Sequence, residues 1–176
     1  MKIIAISGSL RTGSSNTAAL RAAAKLAPPG LDIVPFDGIA GLPFFNPDLE
    51  GDRVPDSVAA FRAVIGDADG LLISSPEYAR GVAGVMKNAL DWLVGSFEFP
   101  NKPVALINTS PRAVHALAAL TLTLETMSAR LVREACVTLP LLGKATDENS
   151  IADDDQLAAP LREGMLQFAA AIQFGR

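Results

Sequence analysis

The chain has 176 residues, 49% of them hydrophobic and 19% charged, enough for one domain with a sizeable core and too apolar for a disordered segment. A net charge of -4 excludes general affinity for nucleic acid and for anionic membrane surfaces, leaving room only for a local basic site. The single cysteine, Cys136, excludes an internal disulfide and a cysteine-based zinc centre; within Ala135-Cys136-Val137-Thr138-Leu139 it is expected to be a buried, inert thiol.

Lys2 to Ser7 reads as a first strand, with an apolar run too short for a signal-peptide core, and Ser15 to Leu26 reads as a helix. Between them lies Ser7-Gly8-Ser9-Leu10-Arg11-Thr12-Gly13-Ser14-Ser15-Asn16-Thr17. Glycines and small hydroxyl residues ahead of a helix let backbone N–H groups and the positive end of the helix dipole converge on an anion. Arg11 adds a forked cation for two phosphate oxygens, and Ser14, Ser15 and Asn16 can donate hydrogen bonds or cap the helix. The Gly8-to-Gly13 spacing is that of a Walker A loop, but Ser14 stands where its lysine belongs, and the three close glycines of a dinucleotide fingerprint are absent. The pattern favours a monophosphate; the plain alternative is an ordinary capped strand-to-helix turn.

Leu31 to Phe36 is a second strand, and Asp37 to Val54 an irregular stretch containing Leu42-Pro43-Phe44-Phe45-Asn46-Pro47-Asp48. Its adjacent aromatics are suited to covering a ligand or a partner subunit, or to packing on the sheet edge. Pro55 to Gly66 is helical, with Val58, Phe61, Val64 and Ile65 on one face. Leu71 to Ser75 forms a third strand that runs into the turn Pro76-Glu77-Tyr78-Ala79-Arg80-Gly81. Proline fixes that turn, and Tyr78 offers a flat face to an aromatic ligand. A helix from Val82 to Val94 follows, with Val82, Val85, Met86, Ala89, Leu90, Leu93 and Val94 on its apolar face. Lys87 and Asp91 are spaced to pair on its surface, and Trp92, off the apolar face, hints at a subunit interface or at edge packing.

Pro103 to Asn108 is a fourth strand ending in Asn108-Thr109-Ser110-Pro111-Arg112, another polar and cationic turn. The helix from Arg112 to Ala129 is apolar nearly all round, through Val114, Leu117, Leu120, Leu122, Leu124 and Met127, so oligomerisation is expected. His115, the only histidine, is expected to have a structural role there. Leu131 to Leu139 is a fifth strand, Pro140 to Asp153 is irregular, and Asp153 to Phe174 closes with Leu157, Leu161, Met165, Phe168 and Ile172 at helical spacing. No stretch is long and apolar enough to span a bilayer. Five strands alternating with five helices imply a single α/β domain over residues 1–176: a doubly wound, five-stranded parallel sheet with helices on both faces. Three polar turns then meet at one sheet edge, suited to an elongated ligand with a phosphate at one end and a flat ring at the other.

These segments together resemble the NADPH-dependent FMN reductase family of flavodoxin-like proteins, which includes quinone, chromate and azo-dye reductases. The marks are Gly8-Ser9-Leu10-Arg11 with Ser14-Ser15-Asn16-Thr17, Asn46-Pro47-Asp48, and Pro76-Glu77-Tyr78 with Gly84-Val85-Met86-Lys87-Asn88-Ala89-Leu90-Asp91-Trp92. The resemblance implies bound FMN, with Ser9, Arg11, Ser15, Asn16 and Thr17 on its phosphate and Ser14 beside them. Pro76, Glu77, Tyr78 and the backbone of Ala79 and Arg80 would line the isoalloxazine ring, approached by Ser110 and Arg112 from the fourth strand's turn. The family often has asparagine at the position of Ala79 and proline at that of Ala83. It implies electron transfer from NADPH or NADH through FMN to a small acceptor, with no catalytic acid or base, no metal, and a homodimer or homotetramer; the short apolar run at Ile3 to Ile6 and the lack of a spanning stretch make a cytoplasmic location the expectation. Arg80 and Arg112 are candidates for the phosphates of the pyridine nucleotide. Two other classes remain compatible with the residues: a flavodoxin-like electron carrier or flavin sensor, and a phosphate-binding enzyme without flavin.

Overall fold

The computed structural model describes residues 1–141 and 147–175. Strand β1 (Lys2–Ser7) has Ile3, Ile4, Ala5 and Ile6 all buried, as a strand covered on both faces requires. Helix α1 (Ser15–Leu26) starts at Ser14, whose side chain accepts from the Thr17 amide, and presents Ala18, Ala19, Ala22 and Ala23 to the sheet. These small side chains let the helix lie close. Strand β2 (Asp32–Phe36) and helix α2 (Asp56–Gly66) follow, joined by a loop with short 3-10 turns at Gly38–Gly41, Pro47–Leu49 and Gly51–Arg53. Strand β3 (Gly70–Ser74) is buried throughout. Next come a two-residue-per-strand hairpin, β4 (Glu77–Tyr78) with β5 (Gly81–Val82), then helix α3 (Gly84–Val94), strand β6 (Pro103–Asn108) and helix α4 (Val114–Thr126). The chain closes with short strands β7 (Arg130–Leu131) and β8 (Val137–Thr138), then helices α5 (Glu148–Asp153) and α6 (Asp155–Phe174).

The main sheet is parallel in the order β2-β1-β3-β6-β7, with β8 also pairing β6. The register places Ile4 beside Leu71 and Leu71 beside Val104. Successive side chains point to opposite faces, so Ile3, Ala5, Leu72, Ala105 and Ile107 pack with α1 and α6. Ile4, Ile6, Leu71, Ile73, Val104 and Leu106 pack on the other side with α2, α3 and α4. The order reverses between β1 and β3, the switch point at which an open α/β sheet leaves a crevice beyond its strand ends.

The fifth strand is broken rather than continuous from Leu131 to Leu139. Leu131 pairs with Val104 and Val137 with Ile107, so six residue steps on the edge face three on β6. The surplus loops out as a 3-10 turn at Arg133–Ala135. Across the gap the Leu106 amide donates to Cys136 Sγ (3.4 Å) instead of a carbonyl. Cys136 is half-buried, and burial pushes its thiol above the ordinary range. Val82, expected to open a helix, pairs in the hairpin together with Gly81, and α4 is shorter at both ends than Arg112–Ala129. Part of the stretch expected to be irregular, Glu148–Asp153, is helix α5, while residues 142–146 lie outside the described residues.

Trp92 is a core residue and not a surface one. It is fully buried, its Nε1 donates to Pro43 O (2.7 Å), and Phe45 meets it edge-on at 5.0 Å. One turn earlier, Asn88 donates to Pro43 O and accepts from the Phe45 amide. Arg62 of α2 donates to Trp92 O and to the Glu50 carboxylate. The 37–54 loop therefore covers the flank of α3 that its apolar stripe leaves bare, with Phe45 turned inward and Phe44 90% exposed. The surface pair Lys87–Asp91 forms at 2.6 Å.

Candidate functional site

Strands β1, β3 and β6 end at the same sheet edge, and the segments leaving them surround a cavity of about 650 Å³. Ser9, Arg11, Ser14, Ser15 and Asn16 line it from the loop before α1. Ser75, Pro76, Glu77 and Tyr78 line it after β3, and Asn108, Thr109, Ser110, Arg112 and Ala113 after β6, with Leu141 at the margin.

The first loop is held against the third strand by backbone. The Gly8 amide donates to Ser74 O (2.8 Å), and a Cβ on Gly8 would lie 2.4 Å from Ser75 Oγ and 2.9 Å from Ser75 Cβ. Only glycine fits that contact without moving one of the two walls. Beyond it, Ser14 caps α1 through the Thr17 amide. The amides of Ser15 and Asn16, at the first two helical positions, have no protein acceptor among the described residues. Asn16 is buried, and its Oδ1 lies 2.9 Å from Ser74 Oγ and accepts from Thr109 Oγ1 at 3.2 Å. That side chain joins all three walls at the cavity floor.

Two helix N-termini border the cavity, and they differ. At α4 the Ala113 cap offers no side-chain bond, and Glu77 Oε2 reaches across from β4 to accept from the His115 and Ala116 amides, both at 2.9 Å. The positive end of α4 is answered by a protein carboxylate; that of α1 keeps open amides beside Arg11, which has no ion-pair partner among the described residues. An anion is therefore favoured at the α1 end. Pro76 and Tyr78 supply flatter, less polar surface further along, with Tyr78 58% exposed.

Ser9, Arg11, Ser14, Ser15, Asn16, Pro76, Glu77, Tyr78, Ser110 and Arg112 thus line one cavity. Three expected residues stand outside the lining. Thr17 turns its hydroxyl to donate to Ser7 Oγ (2.9 Å), and Ala79 and Arg80 form the exposed tip of the β4–β5 hairpin with φ of 51° and 61°. Ser75, Asn108, Thr109, Ala113 and Leu141 line the cavity too, Asn108 and Thr109 within the polar turn expected after the fourth strand but given no contact of their own. Position at a strand's carboxyl end was the available signal for the first three; Leu141 had none. His115 is exposed at α4, and no side-chain hydrogen bond involves its ring among the described residues.

The donor set fits FMN in kind: open amides, hydroxyls and an unpaired arginine at one end, a proline and a tyrosine beyond. Comparisons with known proteins agree. A family model described as NADPH-dependent FMN reductase matches residues 1–141. An NAD(P)H-dependent FMN reductase of Pseudomonas aeruginosa is 46% identical over 62% of this chain and 60% of its own length. A 2-hydroxy-1,4-benzoquinone reductase of a Burkholderia species is 44% identical over 65% of this chain and 63% of its own. The matched chain thus spans less than two thirds of the length of these curated relatives. The solved structure of FerB, a flavoenzyme NAD(P)H:(acceptor) oxidoreductase from Paracoccus denitrificans, superimposes with a TM-score of 0.79 at 28% identity, covering 98% of this chain and 97% of that one.

Proposed function

Because the chain belongs to the NADPH-dependent FMN reductase family, we propose that it is an FMN-dependent NAD(P)H oxidoreductase that passes electrons from a pyridine nucleotide to a small acceptor, a quinone foremost. The observation that carries this reading is the asymmetry of the cavity, with open amides and Arg11 at α1 and the Pro76–Tyr78 surface beyond. Bound FMN would supply the redox chemistry, accepting a hydride and releasing electrons. The chain's part is binding and orientation. The Ser9–Asn16 loop would hold the phosphate and Pro76 and Tyr78 would flank the ring, with Ser110 and Arg112 on the opposite wall of the cavity. No side chain is assigned a proton-transfer role, in keeping with Glu77 Oε2 being committed to two amides. A quinone is the favoured acceptor because one of the relatives carries that activity in its name; chromate, azo compounds and free flavin are further candidates for the same reduced ring.

Arg112 lines the cavity without an ion-pair partner among the described residues, which suits it to the phosphates of the nucleotide; Arg80, at the hairpin tip, would act from outside. Arg112→Ala is expected to raise KM for NADPH several-fold, about 1 kcal/mol in binding, and by more than KM for a neutral quinone. Equal effects on both substrates remove that role. The exposed apolar face of α4, with Val114 and Leu122 54% and 65% exposed, supports a homodimer or homotetramer. One unpaired cysteine suits a reducing, cytoplasmic compartment. The activity itself is tested by adding NADPH and a quinone to the FMN-loaded chain. Sustained NADPH oxidation is expected, whereas flavin binding without turnover would make the protein an electron carrier.

A further inference from the structure

We propose that Glu77 is a positioning residue: its carboxylate supplies the missing cap of α4 and so tethers an otherwise weak hairpin to the cavity wall. Both halves are visible. Helix α4 begins at Ala113 with no side-chain cap and no acidic residue in its first turn, and Glu77 Oε2 accepts from His115 N and Ala116 N at 2.9 Å each. The hairpin that carries Glu77 has two residues in each strand, too few to hold by themselves. Its turn places Ala79 and Arg80 at φ 51° and 61°, a left-handed pair that this kind of turn normally gives to asparagine and glycine. Ala79 and Arg80 are exposed, and Tyr78 is 58% exposed, so little burial anchors the tip. One carboxylate thus offsets two deficits on two elements.

The consequence is geometric. Pro76 and Tyr78 lie on the wall that carries the hairpin, and Ser110 and Arg112 on the wall that leads into α4. Tying Glu77 to the first turn of α4 fixes the separation of these walls before any ligand arrives, and a preordered wall binds a flat ring with less ordering cost. The ligand half of this inference rests on the flavin reading of the cavity; the tether does not.

The test uses the full chain and two readouts. Trypsin cleavage after Arg80 is followed without flavin, since cleavage reports the population of the opened hairpin, and FMN affinity is measured by titration. Glu77→Ala is expected to speed cleavage after Arg80 about tenfold and to weaken FMN binding about tenfold, the scale of losing charge-assisted bonds. Glu77→Gln, which keeps an oxygen acceptor, should stay within about threefold of the parent on both readouts. Adding Ala79→Asn to Glu77→Ala should recover about threefold of each loss, because asparagine tolerates the left-handed conformation. A Glu77→Ala chain that melts earlier but keeps the parent's cleavage rate and FMN affinity would show a helix cap and nothing more, overturning the proposal. If that variant does not fold, Glu77→Asp, a methylene shorter, is read by the same criteria. A parent chain that binds no FMN, yet shows the tryptic contrast, sinks the flavin reading and leaves the tether standing.

Discussion

At the scale of single residues, the site is set by contacts that side-chain chemistry alone does not announce. Gly8 matters for the Cβ it lacks: Ser75 occupies the space, with Oγ at 2.4 Å from where a Cβ would stand. Gly8→Ala should separate the loop from β3 and weaken FMN binding by about tenfold, the lower end of overpacking costs; titration against the parent checks this, and an unchanged affinity would mean that the walls are independent. Ala79 and Arg80 carry left-handed strain, so Ala79→Asn and Arg80→Gly should each raise unfolding stability by about 1 kcal/mol in a denaturant titration. Burial pushes the Cys136 thiol above its ordinary range, and its Sγ is engaged with Leu106 N and Val132 O. Alkylation at pH 8 should therefore be slow in the folded chain and fast once it is denatured. The loop residues Ser9 to Asn16 were legible from their types and from the helix that follows them. The duty of Glu77 was not, because its partners are backbone amides 38 and 39 residues away.

At the scale of elements, strong periodicity reported well and shared surfaces reported poorly. The strand patterns at Lys2, Leu71 and Pro103 are apolar without alternation, and both faces are indeed covered. The stripe of α3 accounts for its sheet-facing side but says nothing of a loop folding onto the other flank. Trp92 therefore read as either a subunit-interface or an edge-packing residue, whereas Pro43 and Phe45 close over it. Trp92→Phe keeps most of the apolar volume and loses the Nε1 bond, so a cost of about 1–2 kcal/mol is expected, measured by thermal or denaturant unfolding. The fifth strand reads as one apolar run, but its register against β6 leaves surplus residues that only a turn absorbs. The hairpin after β3 was hidden for a related reason: Ala79-Arg80 lacks the asparagine–glycine signature of a tight turn.

At the scale of the whole molecule, alternation of strands and helices implied a parallel sheet, but the order β2-β1-β3-β6-β7 comes from the pairing itself. That order creates the crevice and brings together three loops that lie far apart along the chain, around Ser9–Asn16, Ser75–Tyr78 and Asn108–Ala113. The largely apolar solvent side of α4, with Val114 and Leu122 exposed, belongs to this scale too. Leu122→Glu should shift the chain toward monomer in light scattering, if that face is where copies meet, and leave the far-ultraviolet circular dichroism unchanged. In the proposed site, the open amides of α1 and Arg11 would receive the phosphate of a flavin whose ring lies along Pro76 and Tyr78, all of which line the cavity or its α1 end. Paired titration with FMN and riboflavin, which share the ring and differ in the phosphate, tests it most directly. FMN should bind at least about 100-fold tighter than riboflavin, close to 3 kcal/mol of charge-assisted contacts. Equal affinities, or no binding of either flavin, would contradict it.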